Sequence, residues 1–479
     1  MINPGVVFRI ISRNLFIISV ALLVCTGVAV IYSENILPFI SSSATTFLIG
    51  IVLYLLSSST GNKISFGKRE AYLSVTLSWL LVTLTGSLPY IFSGSIPSVT
   101  DAVFESVSGF TTTGSSILTD IEILPKSILF WRSLTHWIGG IGIIVLFIII
   151  MPSLNAGGYQ LFTLESSLQE KIQPRIKSVG QRLLFIYITL TTAEIVLLLI
   201  GGMNLFESVC HAFGTVATGG FSPKNSSIAS YSPFIQYIIM IFMFLSGINY
   251  VTHYYLIKRD FRKIKTNEEV RFYFFIVITI GLTITTGLFF MTEKSLEESF
   301  RESFFQVISI ITCTGFATAD YMLWPVYAWM IIFLAMFLGG CTGSTAGGIK
   351  MARHLLLVKN IYRSFREMIH PKAFSVIRLN NNTLSEETNR SILSYISTYF
   401  IIFIAGSLIL ILTGLDSGSA ASSAATAMAG IGPGIGTVGP AANFAHLSDF
   451  AKIVLSILML LGRLEIYSVI MLIIPATWK

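Results

Sequence analysis

The stretch DAVFESVSGFTTTG at positions 101–114 is amphipathic, is too short to cross a membrane, and ends in a glycine-containing tetrapeptide. Three further stretches follow the same plan. They are LFESVCHAFG (205–214) before ATGG (217–220), FRESFFQVIS (300–309) before TCTG (312–315), and GSAASSAATA (418–427) before AGIG (429–432). The unit recurs roughly every 100 residues, which predicts stacked or encircling copies of one structure.

The physics of a bilayer suggests what such units do. Irregular backbone inside a membrane is stable only where it lines a cavity, because its polar groups need partners. A half-helix that stops there points the negative end of its dipole inward and favours a cation. Glycine then permits dihedral angles that direct carbonyl oxygens at an axis, so four loops predict a ring of carbonyls that replaces an ion's hydration shell. The alternative is four ordinary outer turns, which explains one segment better than it explains four.

Composition places these segments in a membrane. The chain has 479 residues, of which 53% are hydrophobic and 11% charged, and its mean hydropathy is +0.77. Soluble domains carry about 25% charged residues, so a soluble enzyme, a disordered chain and a secreted disulfide scaffold are excluded. The net charge of +7 is typical of basic cytoplasmic loops and does not indicate a nucleic-acid partner.

Ten apolar stretches are long enough to cross a bilayer. Lys and Arg gather in alternate loops, which places both termini in the cytoplasm. The outer side is acidic, and acidic groups at a pore mouth raise the local cation concentration. The stretches lie near 15–32, 44–60, 71–93, 127–151, 181–203, 232–257, 271–292, 325–349, 391–413 and 450–474. The outer acids are Glu34, Asp101, Glu105, Asp120, Glu122, Glu207, Glu293, Glu297, Glu298, Glu302, Asp320, Asp416 and Asp449.

The sequence therefore predicts an all-α polytopic membrane protein with four membrane–pore–membrane repeats around one ion pore. Each repeat supplies two spans and one re-entrant pore helix, and an extra N-terminal transmembrane hairpin brings the total to about ten spans and four pore helices. The hairpin covers residues 1–65, and the repeats cover 66–160, 161–265, 266–378 and 379–479.

The motifs SGFTTTGSS (108–116), ATGGFSP (217–223), CTGFAT (313–318) and GIGPGIG (430–436) resemble the pore loops of the Trk/Ktr/HKT superfamily of potassium transporters. The extra hairpin and the ending LLGRLEIYSVIMLIIPATWK make the TrkH/TrkG branch the most similar. The resemblance implies K+ uptake rather than catalysis, in a bacterial inner membrane. It also implies a homodimer and a cytoplasmic TrkA-like ring that binds the regulatory nucleotide, ATP or NAD, so that this chain carries no cofactor.

The resemblance also assigns a selectivity filter. Its middle pairs, implied as the direct K+ ligands, are Thr112/Thr113, Thr218/Gly219, Cys313/Thr314 and Gly430/Ile431. The full set of filter carbonyls is Thr111, Thr112, Thr113, Gly114, Ala217, Thr218, Gly219, Gly220, Thr312, Cys313, Thr314, Gly315, Ala429, Gly430, Ile431 and Gly432.

The fourth loop departs from the pattern of the family, in which asparagine usually precedes the glycine. Here residues 428–434 read MAGIGPG, which removes side-chain hydrogen bonds that could brace the loop and adds a flexible glycine. This departure keeps open a second hypothesis, a Na+-permeable or ion-coupled symporter with a relaxed filter.

A glycine-rich run interrupts the eighth apolar stretch. Each glycine costs about 1 kcal/mol relative to alanine within a helix, so the run predicts an irregular intramembrane segment at 339–350. It resembles the gate loop of the family's third repeat, which lies below the filter; close helix packing through small residues is the alternative. The gate residues so implied are Gly339, Gly340, Gly343, Ser344, Thr345, Gly347 and Gly348.

Arg463 lies in the middle of the last span, where a charge usually faces a cavity or the bundle interior. It resembles the family's arginine that projects into the pore beside the gate loop as an electrostatic barrier and an anchor for loop carbonyls. The alternative is an ion pair with Glu465 or Glu194. A polytopic membrane enzyme, a hypothesis from another class, would need a catalytic dyad or a metal set. The histidines His136, His211 and His253 are instead predicted to be packing residues.

Overall fold

The computed structural model describes residues 3–58, 67–149, 176–371 and 376–475, and these residues are mostly helical. A single short β-hairpin within these ranges pairs β1 (Arg378–Leu379) with antiparallel β2 (Asn382–Thr383). The helices are α1 (Pro4–Ile31), α2 (Leu37–Ser58), α3 (Lys68–Gly86), α4 (Leu88–Phe92), α5 (Val99–Phe110), α6 (Lys126–Ile149), α7 (Ile176–Ile200), α8 (Leu205–Val216), α9 (Pro233–Ser246), α10 (Tyr250–Ile257), α11 (Phe261–Lys265), α12 (Glu268–Met291), α13 (Leu296–Ile311), α14 (Val326–Ala335), α15 (Met351–Ile369), α16 (Glu386–Leu412), α17 (Ser417–Ala429), α18 (Asp449–Arg463) and α19 (Tyr467–Ile473).

Among the described residues, six helical segments are long and apolar enough to cross a bilayer: α1, α2, the α3–α4 segment, α7, α12 and α16. Two further predicted spans are bent, by 104° between α9 and α10 and by 113° between α18 and α19. The stretch predicted at 325–349 is helical only over Val326–Ala335, because the glycine run follows. The stretch at 127–151 coincides with α6, whose continuation lies outside the described residues. The count of ten spans stays a prediction.

The N-terminal hairpin packs through small polar residues. Ser19 of α1 and Ser43 of α2 each donate to the other's backbone carbonyl, at 3.1 and 3.0 Å. These bonds satisfy hydroxyl groups that would otherwise meet lipid. The outward faces stay apolar: Ile17, Val20 and Leu55 are exposed, as expected of side chains in contact with acyl chains.

Four short helices, α5, α8, α13 and α17, begin in the same way. In each, the N-cap side chain accepts a hydrogen bond from the backbone N–H three residues on, which satisfies one of the free amides of a helix start. None exceeds 16 residues, whereas a span needs about 20. Each helix therefore ends partway into the molecule. The N-caps are Ser98, Asn204, Ser295 and Asp416.

Candidate ion pathway

The tetrapeptide after each short helix has the same backbone conformation. Its second and fourth residues have positive φ, and the N–H of its third residue donates to the carbonyl five residues earlier, at 2.8–3.0 Å. The second residues are Thr112 (54°), Thr218 (55°), Cys313 (57°) and Gly430 (71°). The fourth residues are Gly114 (81°), Gly220 (79°), Gly315 (85°) and Gly432 (101°). Four segments of different sequence thus form one repeated loop.

The four loops close into a ring. A Cβ added to Gly114 would collide with the carbonyl of Gly219 in the second loop. Gly220 faces Thr314 in the same way, and Gly315 faces Ile431. A Cβ on Gly432 would lie 2.9 Å from the carbonyl oxygen of Thr113, which returns to the first loop. The sixteen residues at 111–114, 217–220, 312–315 and 429–432 therefore surround one axis.

Gly430 has a specific conformational role in the fourth loop. It ends α17 in the left-handed region, with φ 71° and ψ 51°. A residue with a Cβ is strained there by roughly 1–2 kcal/mol, as Thr112, Thr218 and Cys313 are in the other loops. The glycine anticipated as a source of flexibility thus occupies one of the two positions per loop that have positive φ, and it does so without that strain.

Neighbouring loops also brace the fourth one. Ser115 Oγ of the first repeat donates to the Gly432 carbonyl at 3.2 Å, and the Tyr321 hydroxyl of the third donates to the Gly434 carbonyl. Within the fourth repeat, the Ile435 N–H donates to Ser422 Oγ at 3.0 Å. These bonds support the fourth loop, which lacks the asparagine expected from the resemblance.

On each short helix, one polar side chain makes a hydrogen bond to the segment that follows the tetrapeptide of the same repeat. Glu105 accepts the Ile117 N–H at 3.0 Å, and His211 Nε2 lies 3.0 Å from Ser222 Oγ. In the third repeat Gln306 Nε2 donates to the Ala319 carbonyl at 3.2 Å. In the fourth repeat Ser422, one residue before the matching position, makes this kind of contact by accepting the Ile435 N–H.

The strongest of these braces is an ion pair. Arg132 of α6 and Glu105 of α5 approach to 2.8 Å, and both side chains are buried. Arg132 also donates to the Ser222 carbonyl at 3.3 Å and lies 4.1 Å above the Phe221 ring, so the pair joins the first loop to the second. The interpretation of Glu105 as an open outer acid that attracts cations is wrong, because Arg132 neutralises it inside the protein. The sequence offered one signal for this pair: the membrane segments of the first repeat contain both an acid, Glu105, and an arginine, Arg132.

Other outer acids are also committed to structural contacts. Asp101 binds Lys452 Nζ at 2.6 Å, and Glu302 pairs with Lys294. Asp416 lies between α16 and α17 and caps α17. Hydrogen bonds from the Ser419 side chain and backbone lower the pKa of Asp416 below its ordinary value, so its charge persists at the outer face.

His136 joins the first two loops from α6. Its Nδ1 lies 2.7 Å from the Gly109 carbonyl, and its Nε2 accepts the Phe221 N–H at 3.1 Å. Since an amide donates to Nε2, the proton of the neutral ring belongs on Nδ1. The ring stacks on Phe221 at 4.2 Å. The residue predicted to be a packing histidine thus packs against the segments that flank the first two loops.

The glycine-rich segment lies against the inner ends of the short helices. The chain leaves α14 at Met336 and is irregular as far as Lys350. Thr345 Oγ1 donates to the carbonyl of Val216, the last residue of α8, at 3.0 Å. A Cβ on Gly347 would collide with the carbonyl of Ala429, the first residue of the fourth loop. Gly343 and Gly348 have positive φ, while Gly339, Gly340 and Ser344 complete the tightly packed turns.

Arg463 bonds this segment from α18. Its guanidinium donates to the Thr345 carbonyl at 3.0 Å and to the Gly139 carbonyl at 3.1 Å. Neither alternative partner forms an ion pair with it in the described ranges, since Glu465 pairs with Arg353 and Glu194 is buried elsewhere in α7. The structure therefore joins Arg463 to Thr345 of this segment. Gly347 of the same segment packs against the first residue of the fourth loop.

Comparison with known proteins yields one family. The TrkH family of cation transport proteins matches residues 38–478. The Trk system potassium uptake protein TrkH of Salmonella typhimurium is 36% identical, over 98% of both chains. TrkG of Escherichia coli is 33% identical over 94% of both. The crystal structure of the potassium transporter TrkH from Vibrio parahaemolyticus covers all of both chains with 32% identity and a TM-score of 0.91.

The buried Arg132–Glu105 pair predicts that loss of either charge alone lowers the thermal stability of the protein. Arg132→Met leaves a buried carboxylate without its cation, and breaking such a pair costs about 3–5 kcal/mol. We expect a clear fall in the thermal unfolding temperature in detergent. The double variant Arg132→Met/Glu105→Gln should recover part of the loss, because no buried charge is left uncompensated. Equal losses in the single and double variants would contradict this account.

Proposed function

The chain belongs to the TrkH family of cation transport proteins, and we propose that it takes up K+ by channel-like passage through the ring of four loops. Relatives in this family are potassium transporters and not enzymes. The observation that carries the proposal is the closed ring in which each loop's glycine packs against the next loop's carbonyl. Such a ring of backbone oxygens is suited to replace the water around a cation.

We assign the direct ligands to the middle residues of the four loops, Thr112/Thr113, Thr218/Gly219, Cys313/Thr314 and Gly430/Ile431. A positive φ turns a peptide plane relative to its neighbours, so two such residues in four allow several carbonyls to face one side. The carbonyls are the ligands, and side chains larger than those present would obstruct the packing between loops. The electrical gradient drives entry, at about 2.3 kcal/mol per charge for each 100 mV.

The proposed architecture is the predicted one: an N-terminal hairpin, four membrane–pore–membrane repeats and about ten spans. The protein lies in a bacterial inner membrane, with both termini on the cytoplasmic side. The α9–α10 and α18–α19 bends count as one span each. Two of the predicted cytoplasmic loops fall within 59–66 and 150–175, outside the described residues. A homodimer and a cytoplasmic TrkA-like nucleotide-binding ring, with ATP or NAD bound there, remain proposals carried by family resemblance.

We place the gate at residues 339–350 with Arg463. The segment lies where an ion leaving the filter would pass, and Arg463 adds a positive charge to the same place. A cation then meets both a steric and an electrostatic barrier until the segment moves. Control of that movement by the regulatory partner is the proposed route by which a nucleotide bound to the partner would act on this chain.

A Na+-permeable or ion-coupled symporter is the second candidate, and the altered fourth loop is the observation that favours it. The two candidates separate in proteoliposomes that contain this chain alone, with uptake of labelled Rb+ driven by a membrane potential. Competition by external K+ but not by Na+ supports the selective pore. Equal competition by both ions would support a relaxed filter and contradict K+ selectivity.

The ring predicts the effect of Gly315→Ser. The new Cβ would collide with the Ile431 carbonyl, which widens or twists the ring. We expect Rb+ uptake to fall by at least about tenfold, equivalent to 1.4 kcal/mol on the barrier. Gly27→Ser is the matched control, because a Cβ there has nothing within 4 Å. Wild-type uptake by a well-folded Gly315→Ser protein would count against the ring as the pathway.

The proposed gate predicts that Arg463→Ala raises Rb+ uptake, whereas Gly315→Ser lowers it. Removal of the guanidinium releases the Thr345 carbonyl and removes the positive barrier. Rb+ uptake without any partner should therefore rise, with Na+ competition unchanged because the filter is intact. Arg463→Lys, which keeps the charge but not the paired bonds, should lie between the two. Unchanged uptake in the alanine variant would remove Arg463 from the gate.

The contacts of His136 predict that its replacement changes the preference for Rb+ over Na+. His136→Phe keeps an aromatic ring but cannot accept the Phe221 N–H or bond the Gly109 carbonyl, so the first two loops lose a shared support. We expect Na+ to compete with Rb+ more effectively than in the wild type. His253→Phe is the control, since His253 bonds the Leu245 carbonyl away from the filter. Identical competition curves for both variants would show that His136 only fills space.

A further inference from the structure

Glu269 lies outside the ring of loops, yet it is fully buried in the first turn of α12. Its Oε1 accepts three hydrogen bonds: from the Thr342 N–H at 2.7 Å, from the Ala352 N–H at 2.9 Å and from the Thr342 hydroxyl at 3.2 Å. Thr342 belongs to the glycine-rich segment, and Ala352 begins the helix that follows it. A single carboxylate oxygen therefore joins three elements of the third repeat.

The contact with Ala352 replaces a missing helix cap. The first amides of a helix have no partner within it and usually bond an acceptor on the N-cap side chain. The N-cap of α15 is Lys350, whose side chain provides no such acceptor and donates to the Ala346 carbonyl instead. Glu269 supplies the acceptor from a different helix, so the start of α15 depends on α12.

The two bonded amides lie on either side of the middle of the proposed gate: Thr342 is within residues 339–350, and Ala352 is two residues beyond them. Between Thr342 and Ala352 are Thr345, which Arg463 holds, and Gly347, which packs under the fourth loop. Arg463 thus fixes the middle of this stretch from the pore side. Glu269 fixes both of its ends from the cytoplasmic side.

The charges around Glu269 have other partners. Arg353 pairs with Glu465, and Lys359 pairs with Glu268, the residue before Glu269. Lys350 is buried and bonds a carbonyl. The carboxylate accepts from Thr342 and Ala352 and lies in the first turn of α12, at the positive end of the helix, where negative charge is favourable. Charge-assisted bonds of this kind are the stronger class of hydrogen bond.

We propose that Glu269 is a positioning residue that clamps both ends of the gate segment and thereby sets the resting permeability of the pore. The proposal rests on the function assigned above to residues 339–350. With the carboxylate in place, the segment has fixed ends and a middle held by Arg463. Loss of the carboxylate frees both ends together and leaves only the contacts at the pore side.

The first test compares Glu269→Ala and Glu269→Gln with Glu268→Gln in proteoliposomes that contain the full chain without a partner. We expect Rb+ uptake to rise several-fold in Glu269→Ala and less in Glu269→Gln, whose amide oxygen still accepts but lacks the charge. Glu268→Gln, which changes the neighbouring acid outside the clamp, should match the wild type. Na+ competition should be unchanged in all three, because Glu269 touches no filter residue.

Hydrogen exchange gives a readout that is independent of transport. The amides of Thr342 and Ala352 are protected by the carboxylate, so peptides covering 338–353 should exchange at least about tenfold faster in Glu269→Ala. The glutamine variant, which preserves the side-chain shape, serves if the alanine variant does not fold. Faster exchange in this region alone, with no global loss of protection, supports the clamp.

The outcomes separate this proposal from the assignment of the pore. Wild-type exchange and wild-type uptake in both Glu269 variants would overturn the clamp while leaving the transport function intact. Faster exchange with no Rb+ uptake in any variant, including Arg463→Ala, would support the clamp and overturn the transport assignment. Increased uptake accompanied by loss of Rb+ over Na+ preference would place the effect at the filter and overturn the proposed role.

Discussion

The contact on which the rest of the structure depends is the close approach of a glycine in each loop to a carbonyl of the next. No side chain fits between them, so the loops lie edge to edge and the ring closes. Irregular backbone of this kind is tolerated at membrane depth only when it is enclosed by protein or lines a cavity. The short helices, the hydroxyl and amide braces and the buried Arg132–Glu105 pair all serve that enclosure.

Much of this arrangement could be predicted from the sequence. Helical hydrophobicity, short amphipathic segments and terminal glycines identify the helices and the four loops without any long-range information. The family assignment followed from the same motifs and was confirmed by the comparisons. Residue types also sufficed to mark 339–350 as non-helical and Arg463 as unusual, because glycine and a mid-span charge are each costly in a membrane helix.

Features that depend on contacts between residues distant in the sequence, or on backbone dihedral angles, could not be predicted in this way. Glu105 looked like an open acid because nothing in its own segment reveals that Arg132, 27 residues away, covers it. Gly430 looked like a source of flexibility because its φ is known only once the backbone is folded. Glu269 went unnoticed since its partners, Thr342 and Ala352, are 73 and 83 positions distant. Side-chain partners across such separations leave no local pattern.

The loops share a backbone but not a sequence, and this has an evolutionary consequence. In a pore made of four identical subunits, one codon change alters every quarter of the filter at once. Here Thr112, Thr218, Cys313 and Gly430 occupy matching positions in a single polypeptide, so a mutation alters one quarter and leaves three as they were. If these loops form the proposed filter, its ion preference can change in small steps, and a substitution that would be harmful in all four quarters can be tolerated in one.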